Sequence, residues 1–218
     1  CVPMQGSGTF AVESMISSLT PKNSEILILI NGAYGHRMKK ICNYLNRNSI
    51  DYTVEEDKIH DLKKIENIID TNKNLTHILA VYCETTSGIL NPIKDIANLA
   101  VKKNLSLLID AMSAFGALPL SSKKIKFDAL AASSNKCLEG VPGVGFVLVE
   151  NSVIKNAQGN CHSLSLDLYD QWRSMELNKQ WRFTPPTHVL AAFNQALKEH
   201  EREGGIEGRY KRYSNNCK

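Results

Sequence analysis

No stretch of the 218 residues is apolar over the roughly 20 positions a helix needs to cross a bilayer. The segment that opens on Cys1 shows no basic, apolar, small-residue order, so no signal peptide is expected within it. Metal-ligand spacings are missing as well. None of the six cysteines forms a C-x-x-C pair, and none of the six histidines an H-x-x-x-H pair, so no metal site is expected. A basic stripe interleaved with aromatics is also lacking. The net charge is +4, but the pairs Lys39-Lys40, Lys63-Lys64, Lys102-Lys103 and Lys123-Lys124 are scattered along the chain. They read as solvated faces, so neither nucleic acid nor a membrane is an expected partner.

What is present is an ordinary globular composition, 43% hydrophobic and 22% charged. The length suits one large domain, residues 1–218. The start at Cys1 rather than Met leaves room for the chain to be an internal piece of a longer one. Unpatterned cysteines in a chain this large read as reduced cytoplasmic thiols, with Cys83 buried in an apolar strand.

Two periodicities alternate along the chain. Val12, Met15, Ile16 and Leu19 predict a helix after the Gly6-Ser7-Gly8 turn. Helices are also predicted over 33–47, 60–71 and 188–203, and one starting at Asn91-Pro92 with Asn91 as cap. Buried strands are predicted at Glu25–Ile30, Thr76–Cys83, Leu105–Ile109, Phe127–Ala132 and Gly145–Val149, with a short one at Tyr52–Val54. The strand signal fades after residue 150, and the chain closes in a polar, helix-compatible stretch. Near-continuous apolar strands alternating with helices predict an α/β fold: a mostly parallel sheet with helices on both faces. Ligands in such sheets sit beyond the carboxyl ends of strands. Glu84–Gly88, Asp110–Ser113 and Ser133–Lys136 fall at such ends.

Three features there carry chemistry. Gly6-Ser7-Gly8-Thr9 at a helix start fits a phosphate cradle, an ordinary capping turn, or a G-x-G-x-x-A dinucleotide turn if a strand precedes it. Asp110 fits a turn cap or an anion that keeps a pyridine nitrogen protonated. Lys136 follows a buried strand and precedes the glycine-rich Gly140–Gly145 turn. That placement suits a covalent cofactor lysine better than a solvated one.

Together, GSGTFAVE (6–13), NGAYGHR (31–37), ETTSG (84–88), DAMSAFG (110–116), SSNKCLEGVPG (133–143) and FTPPTH (183–188) resemble the class V, fold-type-I aminotransferases. The resemblance implies a pyridoxal 5'-phosphate enzyme and a fold covering most of its large, cofactor-binding domain, truncated at both ends. Lys136 would hold the cofactor and move the substrate proton, and Asp110 would pair with the pyridinium nitrogen. Ser7, Gly8 and Thr9 would hold the phosphate, Tyr34 would stack on the ring, and Thr85 would bond near the ring hydroxyl. Thr184 would reach the phosphate of the partner subunit in a homodimer. Tyr34 as core and Thr184 as a cap before two prolines remain open readings of the residues themselves.

Within the family, the resemblance is greatest to members that use 2-aminoethylphosphonate as amino donor and pyruvate as keto-acid acceptor. Alanine–glyoxylate or serine–pyruvate transamination is the alternative, and a non-catalytic fragment that keeps the fold is a second. Cysteine desulfurases have a histidine before the lysine, where this chain has Asn135. No residue matches the family's substrate-binding arginine, which belongs to a C-terminal small domain not expected within these residues.

Overall fold

The computed structural model describes residues 1–217. Fifteen elements follow in order: β1 (Val2–Gln5), α1 (Gly8–Leu19), β2 (Glu25–Ile30), α2 (Ala33–Tyr44), β3 (Asn48–Thr53), α3 (Leu62–Thr71), β4 (Leu75–Val81), α4 (Ile93–Lys103), β5 (Ser106–Asp110), β6 (Ala129–Ser133), β7 (Val144–Val149), α5 (Asn151–Lys155), α6 (Leu168–Asn178), α7 (Thr187–Arg202) and α8 (Gly205–Asn216). The strands form one sheet in the order β1-β7-β6-β5-β4-β2-β3. Neighbours from β6 through β3 are parallel, while β7 runs antiparallel to both β6 and β1. The expected mostly parallel sheet is what forms.

Strand residues alternate between two apolar layers, as the two-residue period of a strand requires. Ile26, Ile28 and Ile30 of β2 join α1 and α2 on one face, through Ala11, Met15, Ile16 and Met38. Leu27 and Leu29 join α3 and α4 on the other, through Ile65, Ile69, Ile93 and Ile96. A strand covered on both faces has no polar side, which is why EILILI reads as a continuous apolar run.

Several boundaries differ from the sequence expectation. Helix α2 stops at Tyr44, and Asn46 takes a left-handed φ of 51°. Strand β3 is a polar edge strand, NSIDYT, and runs earlier than the expected Tyr52–Val54. Strand β4 ends at Val81, so Cys83 lies past it and is only half-buried; the buried thiols are Cys42 and Cys137. Asn91 does not cap α4. Its amide is buried, donates to Val81 O and Asn31 Oδ1, and accepts from Asn31. A capping bond at a solvated helix start is worth less than satisfying three buried polar groups between β2 and β4. Lys103 is not a solvated face either. Its ammonium lies 2.7 Å from Asp70 of α3.

Candidate active site

The parallel register places three loops side by side. Val81 of β4 pairs with Asp110, and Asp110 with Ala131 of β6, so the chain leaves all three strands near one level. A cavity of about 180 Å³ opens there. Ser7, Gly8, Thr9, Tyr34, Asp110 and Lys136 all line it. Six of the eight residues singled out in the sequence, spread over 130 positions of chain, meet in one place.

The cradle at one wall is the start of α1. Ser7 is its N-cap residue but makes no side-chain capping bond, so the plain capping reading lacks its defining contact. Ser7, Gly8 and Thr9 at this helix start line the cavity. Gly8 lets the turn approach closely: a Cβ there would sit 2.5 Å from Met112 Sδ, and that side chain would have to move. A strand does precede this turn, as a dinucleotide fold would need. It is an edge strand that pairs only with β7 and antiparallel to it, so the doubly wound nucleotide arrangement is not present.

Asp110 is 3% exposed at the end of β5. Its Oδ1 accepts from Met112 N at 3.0 Å. Burial raises its carboxyl to about 6, against the pull of the Met112 N–H; Glu84 adds a further upward push, which Arg37 and Lys136 oppose. A carboxylate held this way is poised to take a cationic partner.

Lys136 is half-buried just past β6. The turn that carries it is fastened from within and from outside. Glu139 N donates to Lys136 O at 2.8 Å, with Glu139 at a left-handed φ of 56°, and Gly140 N donates to Ser134 O at 2.7 Å. From α8, the buried Arg209 guanidinium donates to Cys137 O. Arg212 pairs with Glu139 at 2.8 Å. Helix α8 falls in the stretch expected to be polar and helix-compatible, and its inward face is this clamp.

Thr85 and Thr184 are not among the residues lining the cavity. Thr85 Oγ1 lies 2.6 Å from Ser113 Oγ, tying the loop after β4 to the loop after β5. Thr184 is exposed in the segment before α7. Two residues given no role in the sequence support the site: Arg37 lines the cavity, and Glu84 lies behind its wall. Glu84 is fully buried: Oε2 accepts from Tyr34 N at 3.2 Å and Oε1 from Thr86 Oγ1 at 3.1 Å. Gly32 makes room for it, since a Cβ there would lie 2.4 Å from Glu84 Cγ. Arg37 donates to Thr9 Oγ1 at 3.0 Å and stands 4.5 Å over the Tyr34 ring.

The raised Asp110 carboxyl has a consequence for stability. In the cofactor-free folded protein it keeps its proton over a pH range where the unfolded chain has lost it. Its contribution is therefore full below about pH 4 and lost as pH rises through about 6. The wild type is expected to lose about 2–3 kcal/mol relative to Asp110→Asn between pH 4 and pH 8. Urea unfolding of both proteins across that range checks it; parallel profiles would contradict the assignment.

A model of the family described as Aminotransferase class-V matches residues 4–213. The chain belongs to this family. Among class V relatives, the 2-aminoethylphosphonate–pyruvate transaminase of Pseudomonas putida (strain W619) is 49% identical over 218 residues, which is all of this chain and 59% of that protein. That of Pseudomonas fluorescens (strain Pf-5) is 48% identical over 217 residues, again 59% of its length. The chain thus spans about three fifths of the curated relatives it matches. Among solved structures, the alanine–glyoxylate aminotransferase of Nostoc sp. superposes with a TM-score of 0.91 at 20% identity, covering 99% of this chain and 57% of that one. The pyridoxamine–pyruvate aminotransferase of Mesorhizobium loti gives 0.86 at 23% identity, covering 97% and 54%. These two share the class V fold.

Proposed function

We propose that this chain is the cofactor-binding domain of a pyridoxal-phosphate-dependent transaminase that passes the amino group of 2-aminoethylphosphonate to pyruvate, giving phosphonoacetaldehyde and L-alanine. The observation that carries it is the convergence of Lys136, Asp110, Tyr34 and the Ser7–Thr9 cradle on one cavity, in a chain 49% identical to transaminases of that name.

The residues present fit the cofactor. A buried carboxylate, an amine and an anion cradle surround a cavity of about 180 Å³, and Gly8 keeps the cradle open where a Cβ would collide with Met112. Bound pyridoxal phosphate supplies an electrophilic carbon for the donor's amine and a ring that withdraws electrons from the carbon losing a proton. Around it, Lys136 would be the residue that holds the cofactor, and its amine would serve to take up and return the substrate proton. Asp110 would hold a proton on the ring nitrogen by its charge. Ser7, Gly8 and Thr9 would bind the phosphate, and Tyr34 would orient the ring by stacking. Thr85, tied to Ser113 at 2.6 Å, would lie on the side of the ring hydroxyl.

The site is completed across a homodimer, with Thr184 serving the partner's phosphate. Pro185 restricts Thr184 to an extended backbone, and its exposure away from its own cavity suits reach in trans. Thr184→Ala is expected to weaken cofactor affinity about tenfold or more. In heterodimers with Lys136→Ala, one site carries neither lesion, so activity should return; a monomeric protein rules this out. Six free thiols suit a cytoplasmic setting.

The substrate test compares kcat/KM for 2-aminoethylphosphonate with pyruvate against serine or alanine with glyoxylate. The phosphonate donor is expected to win by at least about a hundredfold, because cationic groups placed for a dianion are poorly matched by one carboxylate. A preference for serine or alanine would assign the chain to the other transaminase reactions of the family.

A further inference from the structure

We propose that Arg37 is the cation of the cofactor's phosphate site, acting through Thr9. The inference rests on the reading above and adds a residue that the sequence motifs left without a role.

Among the described residues, Arg37 and Lys136 are the cations that line the cavity. Lys136 is committed to the covalent attachment, so its charge is not free to neutralise a phosphate dianion. The start of α1 offers only a partial positive charge, roughly half a unit. A full guanidinium charge beside that helix end meets the remaining need.

The contact geometry says how. Arg37 Nη1 donates to Thr9 Oγ1 at 3.0 Å. A hydroxyl has one proton to give and two lone pairs to receive with. With one lone pair engaged by Arg37, the Thr9 O–H is free to point at an anion. The bond also polarises the hydroxyl, making it a stronger donor than a solvated threonine. Arg37 follows Tyr34 by three residues on α2, so the two share a helix face, and the guanidinium lies 4.5 Å from the ring centroid. That stacking holds the long side chain in the orientation that reaches Thr9. One residue thus joins the ring-stacking wall to the phosphate wall.

Arg37 could instead matter only by propping Tyr34. The two roles part on ligands that differ in the phosphate alone. Pyridoxal presents the same ring as pyridoxal phosphate, so loss of a Tyr34 prop weakens both equally. Loss of a phosphate cation weakens only the phosphorylated one.

The experiment measures dissociation constants of pyridoxal phosphate and pyridoxal by absorbance titration of the cofactor-free protein. Inorganic phosphate is titrated calorimetrically as a third probe. For Arg37→Gln, the pyridoxal phosphate constant is expected to rise about ten- to a hundredfold while that of pyridoxal changes less than about twofold. Phosphate binding should weaken in parallel, and Arg37→Lys should fall between, because it keeps the charge and loses the fork geometry. Equal weakening of both ring ligands, or no change in either, overturns the proposal. A wild type that binds pyridoxal phosphate indifferently to Arg37 sinks this inference and leaves the function standing. A wild type that binds phosphate through Arg37 but takes up no pyridoxal phosphate supports the anion site and sinks the function.

Discussion

Lys136→Ala is expected to lower the transamination rate by on the order of ten-thousandfold, the upper range for loss of a positioned proton-transfer group. The expectation follows from where Lys136 sits. Strand β6 delivers it to the cavity, and the Ser134–Gly140 hydrogen bond and the Arg209 contact fix its turn. Among the described residues, no other lysine lines that cavity to take its place. Because the turn is held by backbone groups and not by the lysine side chain, the variant should fold normally, with an unchanged circular dichroism spectrum. Adding a small primary amine such as methylamine should restore part of the rate, since the missing group is an amine at a known spot. A variant that keeps more than about a tenth of the wild-type rate would remove Lys136 from proton transfer.

Asp110→Asn is expected to slow the first half-reaction by on the order of a hundredfold or more, as for loss of a preorganised electrostatic group. The amide matches the carboxylate in shape and can still accept from Met112 N. What it lacks is charge, so it does not hold a proton on the ring nitrogen. Beside that protonated nitrogen the wild-type carboxyl, raised to about 6 chiefly by burial, would face an opposite charge that returns it to its anionic form. The same substitution that removes activity should therefore remove the pH-dependent loss of stability in the cofactor-free protein. Single-turnover absorbance kinetics on wild type and variant measure the first effect. Near-normal rates with correct folding would exclude Asp110 from the electron-withdrawing role.

The core of the fold was legible because burial on both faces leaves strands such as EILILI with no polar positions to obscure them. Lys136 and Asp110 stood out as candidates because each is a charged residue at the end of an apolar run, and the structure brings both to the cavity. The edges were not. β1 has four residues, one of them Pro3, and β3 is polar, so neither shows an apolar run. The C-terminal stretch read as helix-compatible, but the role of its buried Arg209 was missed because the contact that gives Arg209 its place lies 72 positions away, at Cys137. Arg37 and Glu84 show the same limit. Glu84 lies in a recognised motif, yet its partner at Tyr34 N is 50 positions upstream. Arg37 looks like any solvated helix cation until α1 and α2 are set side by side and Thr9 comes within 3.0 Å. Asn91 failed in the opposite sense. It has the right chemistry for a cap, and burial gave it a better use.

The central claim is that Lys136 holds the cofactor. Loading the protein with pyridoxal phosphate, reducing it with borohydride and mapping the modified peptide by mass spectrometry tests it directly. The label is expected on Lys136, in the peptide that carries SSNKCLEG, and to be lost in Lys136→Ala. A stoichiometric label on any other lysine would contradict the account.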